Sequence, residues 1–222
     1  MLWVLISLFF LWCAFREIRN SIWAAPGYAG PIAATPSYLA VVLCLAVIFA
    51  WPPIHTWYFQ RLLSAKATEL ADGRTATVHC NTLFDTMLDP EMLAAGHANP
   101  MTGKIVLQKP WCGILMDFLS HPQRASEKEL WSLNMFTHES MHVRGEMNEA
   151  RTECQAVQRN YRAAKLLGVP DATARQNALN YYNNGYQDRQ RIGGMQSAYY
   201  SSECAPGKAM DEHLADSTWN TP

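Results

Sequence analysis

Two apolar runs open the chain, LWVLISLFFLWCAF (residues 2–15) and YLAVVLCLAVIFAWPPIHTWYF (residues 38–59), and every position from 20 to 60 is uncharged. A helix needs about twenty apolar residues to cross the hydrocarbon core of a bilayer. The second run is long enough, and Trp51, Trp57 and Tyr58 would form an aromatic belt at its end. Pro52 and Pro53 are expected to break or kink the helix there. The first run is short for a span. It has no basic segment ahead of it and no A-x-A site directly behind it, as a signal peptide would. The expectation is two transmembrane helices, residues 2–16 and 38–59, joined by the Pro/Gly-rich loop AAPGYAGPIAATP. An interfacial or partly inserted segment is the alternative for the first.

Behind residue 60 the pattern becomes that of a soluble domain. Residues 61–74 read as a juxtamembrane helix or linker ending at Asp72-Gly73. TATVHC (75–80) alternates and is β-branched, which predicts a short strand. Residues 81–93 predict a helix interrupted at Asp89-Pro90. Asn99-Pro100 and Thr102-Gly103 carry turn chemistry, and a strand over 104–108 follows. Ser126-Glu127-Lys128-Glu129 is a capping box. It opens a helix through Leu130, Leu133, Phe136 and Met141 that should end at Gly145. Asn148 caps a second helix, whose stripe Ala150, Cys154, Val157, Tyr161 and Ala164 has helical spacing. Gly168 and Pro170 stop it, and Asp171 caps a third helix to about Asp188. The tail from Ile192 lacks periodicity. The fold class is α+β: a mainly helical soluble domain with a small β-sheet (75–222), behind a membrane region (1–60) and a linker (61–74).

Charge narrows the partners. The 222 residues carry a net charge of −1, which excludes the basic field that nucleic acid requires. The bilayer is the partner that the apolar runs imply. Arg16 and Arg19 lie between the runs, and Arg61, Lys66 and Arg74 follow them, so charge does not set the orientation. Cys13 and Cys44 sit in the apolar runs. Cys80, Cys112, Cys154 and Cys204 are scattered through the soluble part without C-x-x-C spacing, which fits two disulfides in any of three pairings. Disulfides imply an oxidising compartment, so the soluble domain is expected on the extracytoplasmic side of the cell membrane.

The chemistry concentrates in THESMHVRGEMNEARTEC (137–154). His138-Glu139-Ser140-Met141-His142 fits H-E-x-x-H. Residues i and i+4 share a helix face, so both imidazoles reach one metal ion, and Glu139 stands where it can deprotonate a metal-bound water. A catalytic zinc takes a third protein ligand, for which Glu149 is the leading candidate. On a straight helix Glu149 would lie about 10 Å along the axis from His142, too far to share an ion. A reversal at Gly145-Glu146 removes the problem: position 142 then faces 149, and 138 faces 153. Glu153 would bind the other N–H of a histidine, or take the ligand role itself. His79, His97 and His121 sit among turn or strand residues and read as surface or hydrogen-bonded groups.

His138-Glu139-x-x-His142 followed by Asn148-Glu149-x-x-x-Glu153 resembles the gluzincin pattern carried by thermolysin-like metallopeptidases. The resemblance implies one zinc held by His138, His142 and Glu149, with Glu139 as general base and a peptide or protein substrate. The gap between the two motifs is much shorter here than in those enzymes. A metzincin alignment uses Gly145 but puts Asn148, a poor zinc ligand, at its third ligand position. Over residues 75 to the end, the elements VHC, GKIVLQKPWC, THESMHVRGEMNEARTECQA, LLG and SSEC resemble a set of bacterial secreted or membrane-tethered HExxH proteins. That likeness implies the pairs Cys80–Cys112 and Cys154–Cys204. No motif places a transition-state donor; Tyr181, Tyr182, Tyr186, Tyr199, Tyr200 and Arg144 are candidates. The expectation is a membrane-anchored zinc hydrolase, with a non-catalytic zinc-binding or partner-binding envelope module as the alternative.

Overall fold

The computed structural model describes residues 2–22, 36–192 and 194–219. The chain divides into two compact units, Met1–Phe59 and Gln60–Pro222. In the first, α1 (Leu2–Ile22) lies beside the opening half of α2 (Pro36–Leu70). Ser7 donates from Oγ to the Ala46 carbonyl at 2.9 Å, and the rings of Trp3 and Phe10 each pack 5.6 Å from Phe49. Ser7, Ala14, Val42 and Ala46 are buried between the helices, while large apolar side chains such as Phe9, Val47 and Trp51 face outward. Small residues inside and large apolar ones outside is the packing expected in an apolar solvent.

Among the described residues, α2 is the one helix long and apolar enough to cross a membrane, and only 11% of its apolar window is buried, unlike a core helix. One helix of the expected two therefore meets the requirements of a span; α1 carries Arg16, Glu17 and Arg19 towards its end. The break expected at Pro52-Pro53 is corrected. The helix continues through both prolines, and Thr56 returns a hydrogen bond from Oγ1 to the Pro52 carbonyl. Residues 24–35 of the connecting loop lie outside the described residues.

The second unit begins on α2. The stretch 61–74, read as a juxtamembrane helix or linker, is helical to Leu70, and Leu63, Ala67, Leu70 and Ala71 are buried. Gln60, Ser64 and Thr68, four apart on one helix face, accept hydrogen bonds from the backbone N–H groups of Cys80, Val78 and Ala76 at 3.0, 2.8 and 2.9 Å. Two residues of strand (about 6.6 Å) keep step with four of helix (about 6 Å), so the pairing repeats. The outer edge of β1 (Thr77–Cys80) is thereby closed by side chains.

The sheet is mixed, in the order β1-β3-β2. β1 runs parallel to β3 (Lys104–Leu107), and β3 antiparallel to β2 (Gly96–Asn99). β2 was not expected, because GHAN has little β propensity. Gly96 permits its fit: a Cβ there would meet the Val106 carbonyl at 3.0 Å and the Met135 sulfur at 3.3 Å. α3 (Leu83–Leu88) is capped by Thr82 with Asp85 and ends before Pro90. α4 (Trp111–Ser120), also unexpected, buries Cys112, Leu115 and Phe118.

The helical core follows the local signals. α5 (Glu127–Arg144) opens at the Ser126–Glu129 capping box and closes at Gly145, whose φ of +119° is left-handed. α6 (Glu149–Leu166) is capped by Asn148, whose side chain accepts from the Arg151 N–H at 3.0 Å. Asp171, expected as a cap, is instead the first residue of α7 (Asp171–Asn180). Its carboxylate is taken up by Tyr161 Oη at 2.6 Å and Lys165 at 2.7 Å. The expected helix to residue 188 is interrupted: Tyr181–Tyr186 widens into a π turn before α8 (Gln187–Ile192). After a 3-10 turn over Gly194–Tyr199 the tail is irregular and strapped along α6. Gln158 donates to the Met210 carbonyl at 2.9 Å, Arg159 pairs with Glu212, and Thr218 bonds the Val157 carbonyl. Disulfides join Cys80 to Cys112 and Cys154 to Cys204, the pairing that the resemblance implies.

Candidate metal centre

The left-handed residue at 145 folds α6 back along α5. Across this hairpin His138 meets Glu153, and His142 meets Glu149. His138 Nε2 lies 3.1 Å from His142 Nε2 and 3.2 Å from Glu149 Oε2, and the third side of the triangle, His142 Nε2 to Glu149 Oε2, is 3.5 Å. A tetrahedral zinc with bonds of 2.0–2.1 Å separates its ligand atoms by about 3.3 Å. The three side chains thus match the donor set of a single ion, and they form the one such group among the described residues.

The other ring nitrogens fix what these atoms offer. His142 Nδ1 lies 2.8 Å from the Glu146 carbonyl, which can only accept, so Nδ1 carries the proton. His138 Nδ1 lies 2.8 Å from Glu153 Oε2. Glu153 is almost fully buried. Burial opposes its charge, but the Arg189 guanidinium at 3.0 Å and the His138 ring hold its carboxyl below the ordinary value, so it too accepts. Glu153 Oε1 takes further hydrogen bonds from Asn134 at 2.8 Å and Tyr181 at 3.1 Å. Were both imidazoles neutral, two Nε2 lone pairs and a carboxylate oxygen would converge on one point with no proton between them. Such a triangle needs a cation. Without a metal a proton serves: burial disfavours the imidazolium of His138, yet Glu149 and Glu153 outweigh it and push its pKa up to about 10. The same two histidines draw the pKa of the Glu149 carboxyl far down.

Glu139 is buried, accepts no hydrogen bond from a described residue, and borders the cleft that contains the triangle. Burial raises its pKa above the ordinary carboxylate value. The cleft has a volume of about 750 Å³. Trp111 and Trp131, edge to face at 4.3 Å, stand on one wall with Met135, and β2 forms another. Gln108 N–H bonds the Ala95 carbonyl at 3.0 Å, which opens the β2–β3 ladder. By the alternation of an antiparallel pair, the backbone groups of Gly96 and Ala98 then face away from β3, along the open edge.

The remaining candidates sort themselves by position. Tyr181 supports Glu153 from inside, Tyr186 bonds the backbone of Ser201, and Tyr182 packs against Trp219. Tyr200 reaches Gln187, and Arg144 is held by Asp72 and Glu212. Tyr199 alone of the six borders the cleft, its ring 5.6 Å from that of His138 and 5.2 Å from the Arg189 guanidinium. Arg189, which neutralises Glu153 and flanks Tyr199, carries no signal in the sequence. Asn148 is occupied as a helix cap and does not enter the triangle. His79 and His121 are exposed, and His97 is bonded to Asp89 at 3.1 Å. Compared with protein-family models, with curated proteins and with solved structures, the chain matches none.

Proposed function

We propose that this protein is a membrane-anchored, zinc-dependent hydrolase of the gluzincin kind, acting on peptide or protein substrates on the extracytoplasmic side of the membrane. The observation that carries the reading is the convergence of His138 Nε2, His142 Nε2 and Glu149 Oε2 within 3.1–3.5 Å of one another, with both Nδ1 atoms engaged elsewhere. His138, His142 and Glu149 would hold the ion. A bound zinc supplies Lewis acidity to a substrate carbonyl and acidity to a water. Glu139, buried and with no hydrogen-bond donor among the described residues, would take that water's proton and pass it to the leaving amine. Tyr199, whose ring lies 5.6 Å from that of His138, would donate a hydrogen bond to an oxyanion above the triangle.

The polypeptide substrate is supported by the contrast between the two sheet edges. The β1 edge is closed by Gln60, Ser64 and Thr68, whereas the β2 edge lies open along the cleft and offers backbone groups to an extended chain. The apolar α2 supports the anchor, with α1, packed beside it, proposed as the second spanning segment, and the two disulfides support the oxidising side. The test is Glu139→Gln in the full chain, assayed for bound zinc and for cleavage of labelled casein and a mixed peptide library. Zinc content is expected to stay at one per chain while cleavage falls by about 10²–10⁴. A folded variant that cleaves at the parental rate overturns Glu139 as the base. A parental protein that takes up zinc and cleaves nothing overturns the peptidase.

A further inference from the structure

Residues 83–93 present an apolar surface with no partner among the described residues. α3 buries none of its side chains: Leu83, Phe84, Met87 and Leu88 are all exposed. Met92 is exposed too, and Leu93 is 95% exposed. Six large apolar side chains in eleven consecutive positions mark an interaction surface rather than scattered solvated residues. We propose that this segment rests in the headgroup region of the lipid bilayer that α2 enters, and so seats the rim of the cleft on the membrane. The proposal rests on the anchor reading.

The occupant is argued from the register of β1 along α2. Ala76 bonds Thr68, Val78 bonds Ser64 and Cys80 bonds Gln60, so the strand descends the helix towards Gln60. Gln60 closes the uncharged stretch, directly after the apolar run that ends at residue 59. Leu83 lies three positions beyond Cys80, a reach of about 10 Å at most. α3 is therefore delivered where the chain leaves the apolar run. The charges nearby are of both signs: Asp85 and Glu91 are exposed within the segment, and two cations stand beside it. The N–H of Lys109 donates to Thr86 Oγ1 at 3.0 Å, which keeps this exposed cation beside α3, and Arg61 is exposed next to Gln60. Basic residues at this level favour anionic headgroups. Met92, Leu93 and Lys109 also border the cleft, so its rim would open at the membrane surface.

The β2–β3 hairpin supplies an internal control. Met101 is 92% exposed but stands at the Thr77 end of the sheet, away from Gln60. The experiment places an environment-sensitive fluorescent amino acid, one site at a time, at Phe84, Leu93, Met101 or Val47. The full chain is reconstituted in phosphatidylcholine–phosphatidylglycerol vesicles with or without doxyl-labelled lipid. Probes at 84 and 93 should lose most of their emission to the doxyl lipid, as should the probe at 47, while the probe at 101 keeps its emission. Quenching at 47 without quenching at 84 and 93 overturns the proposal and leaves the anchor standing. No quenching at 47 overturns the anchor and the proposal with it. A blue shift at 84 and 93 that grows with protein concentration and ignores doxyl lipid identifies a second copy of the chain as the occupant and overturns the lipid assignment.

Discussion

His138 gives its Nδ1–H to Glu153 across the α5–α6 hairpin at 2.8 Å, while its Nε2 faces Glu149, one helical turn away on α6, at 3.2 Å. One imidazole thus reads both carboxylates of the second motif and assigns them different work. Glu153→Gln keeps an oxygen for Asn134 but weakens the acceptor that orients and polarises the ring. Zinc affinity is expected to fall about 10–100-fold, measured by competition with a chromophoric chelator. Glu149→Ala should abolish tight binding; it also removes a partner of the His138 imidazolium, so the metal-free protein should lose some stability near neutral pH, but because Glu149 is half exposed the loss should be smaller than for Glu153. Glu153→Ala should affect stability more. It removes the carboxylate that faces the buried Arg189 guanidinium and should cost about 3–5 kcal/mol in urea unfolding. Equal effects of the two alanine variants on both readouts would reject the division of labour.

The reversal at Gly145 brings the motifs together, and its φ of +119° sets the cost of changing it. An L residue in that region costs about 1–2 kcal/mol, so Gly145→Ala should destabilise by that amount. A Cβ there would also meet Arg74 Nη1 at 2.8 Å, the flexible end of a side chain that can move aside. Gly145→Asn should be milder, since asparagine tolerates left-handed backbone. Urea midpoints and zinc affinity should fall together in the alanine variant, because a relaxed turn separates His142 from Glu149. Unchanged midpoints would show that the turn bears no strain.

The part of this site that the sequence reveals is the part written in local chemistry. The Ser126 capping box, the glycine after Arg144 and the Asn148 cap act within four residues of themselves, so they mark both helices and the reversal between them. Once the reversal is placed, the spacing of His138, His142, Glu149 and Glu153 determines which residues meet. β2 is different: GHAN forms a strand because β3 and α5 accept it, and nothing in those four residues announces that. The Gln60, Ser64 and Thr68 stripe reads as an unremarkable run of a juxtamembrane helix until a strand edge is laid on it. Tyr199 and Arg189 reach the cleft through the π turn and the strapped tail, both products of tertiary contact.

Asp89 holds Glu91 and His97, two residues of the cleft wall, and its contribution is read by pH. Burial opposes its charge, but the Glu91 N–H, His97 and the Gln108 amide hold its pKa down to about 2. The folded state therefore binds the proton less readily than the unfolded chain, whose ordinary value is 3.8. A depressed carboxylate adds stability that is fully present above pH 4 and disappears as the pH falls towards 2. Asp89→Asn should remove this contribution at neutral pH and flatten the wild-type decline between pH 4 and 2. Urea midpoints measured at each pH decide it, and parallel curves for the two proteins would rule the contribution out.

The Cys154–Cys204 bridge joins α6, which carries Glu149 and Glu153, to the tail that carries Tyr199, five residues ahead of Cys204. The two cysteines are 50 residues apart, a loop whose closure restricts the unfolded chain by about 4 kcal/mol on the chain-entropy account. Replacing both with alanine should therefore destabilise by roughly 2–4 kcal/mol. The proposed metal ligands, His138, His142 and Glu149, do not lie in the tail, so zinc affinity at temperatures where the variant remains folded should stay near wild type. Catalysis should not, because Tyr199 loses the tie that holds it over the triangle. Tyr199→Phe separates the two effects. It keeps the ring against His138 and Arg189, leaves stability and zinc content intact, and should lower kcat by about 10²-fold if the hydroxyl serves an oxyanion. The double-alanine and phenylalanine variants should then show similar losses of kcat with different melting temperatures. A phenylalanine variant with full kcat would leave the bridge a purely structural role and remove Tyr199 from the chemistry.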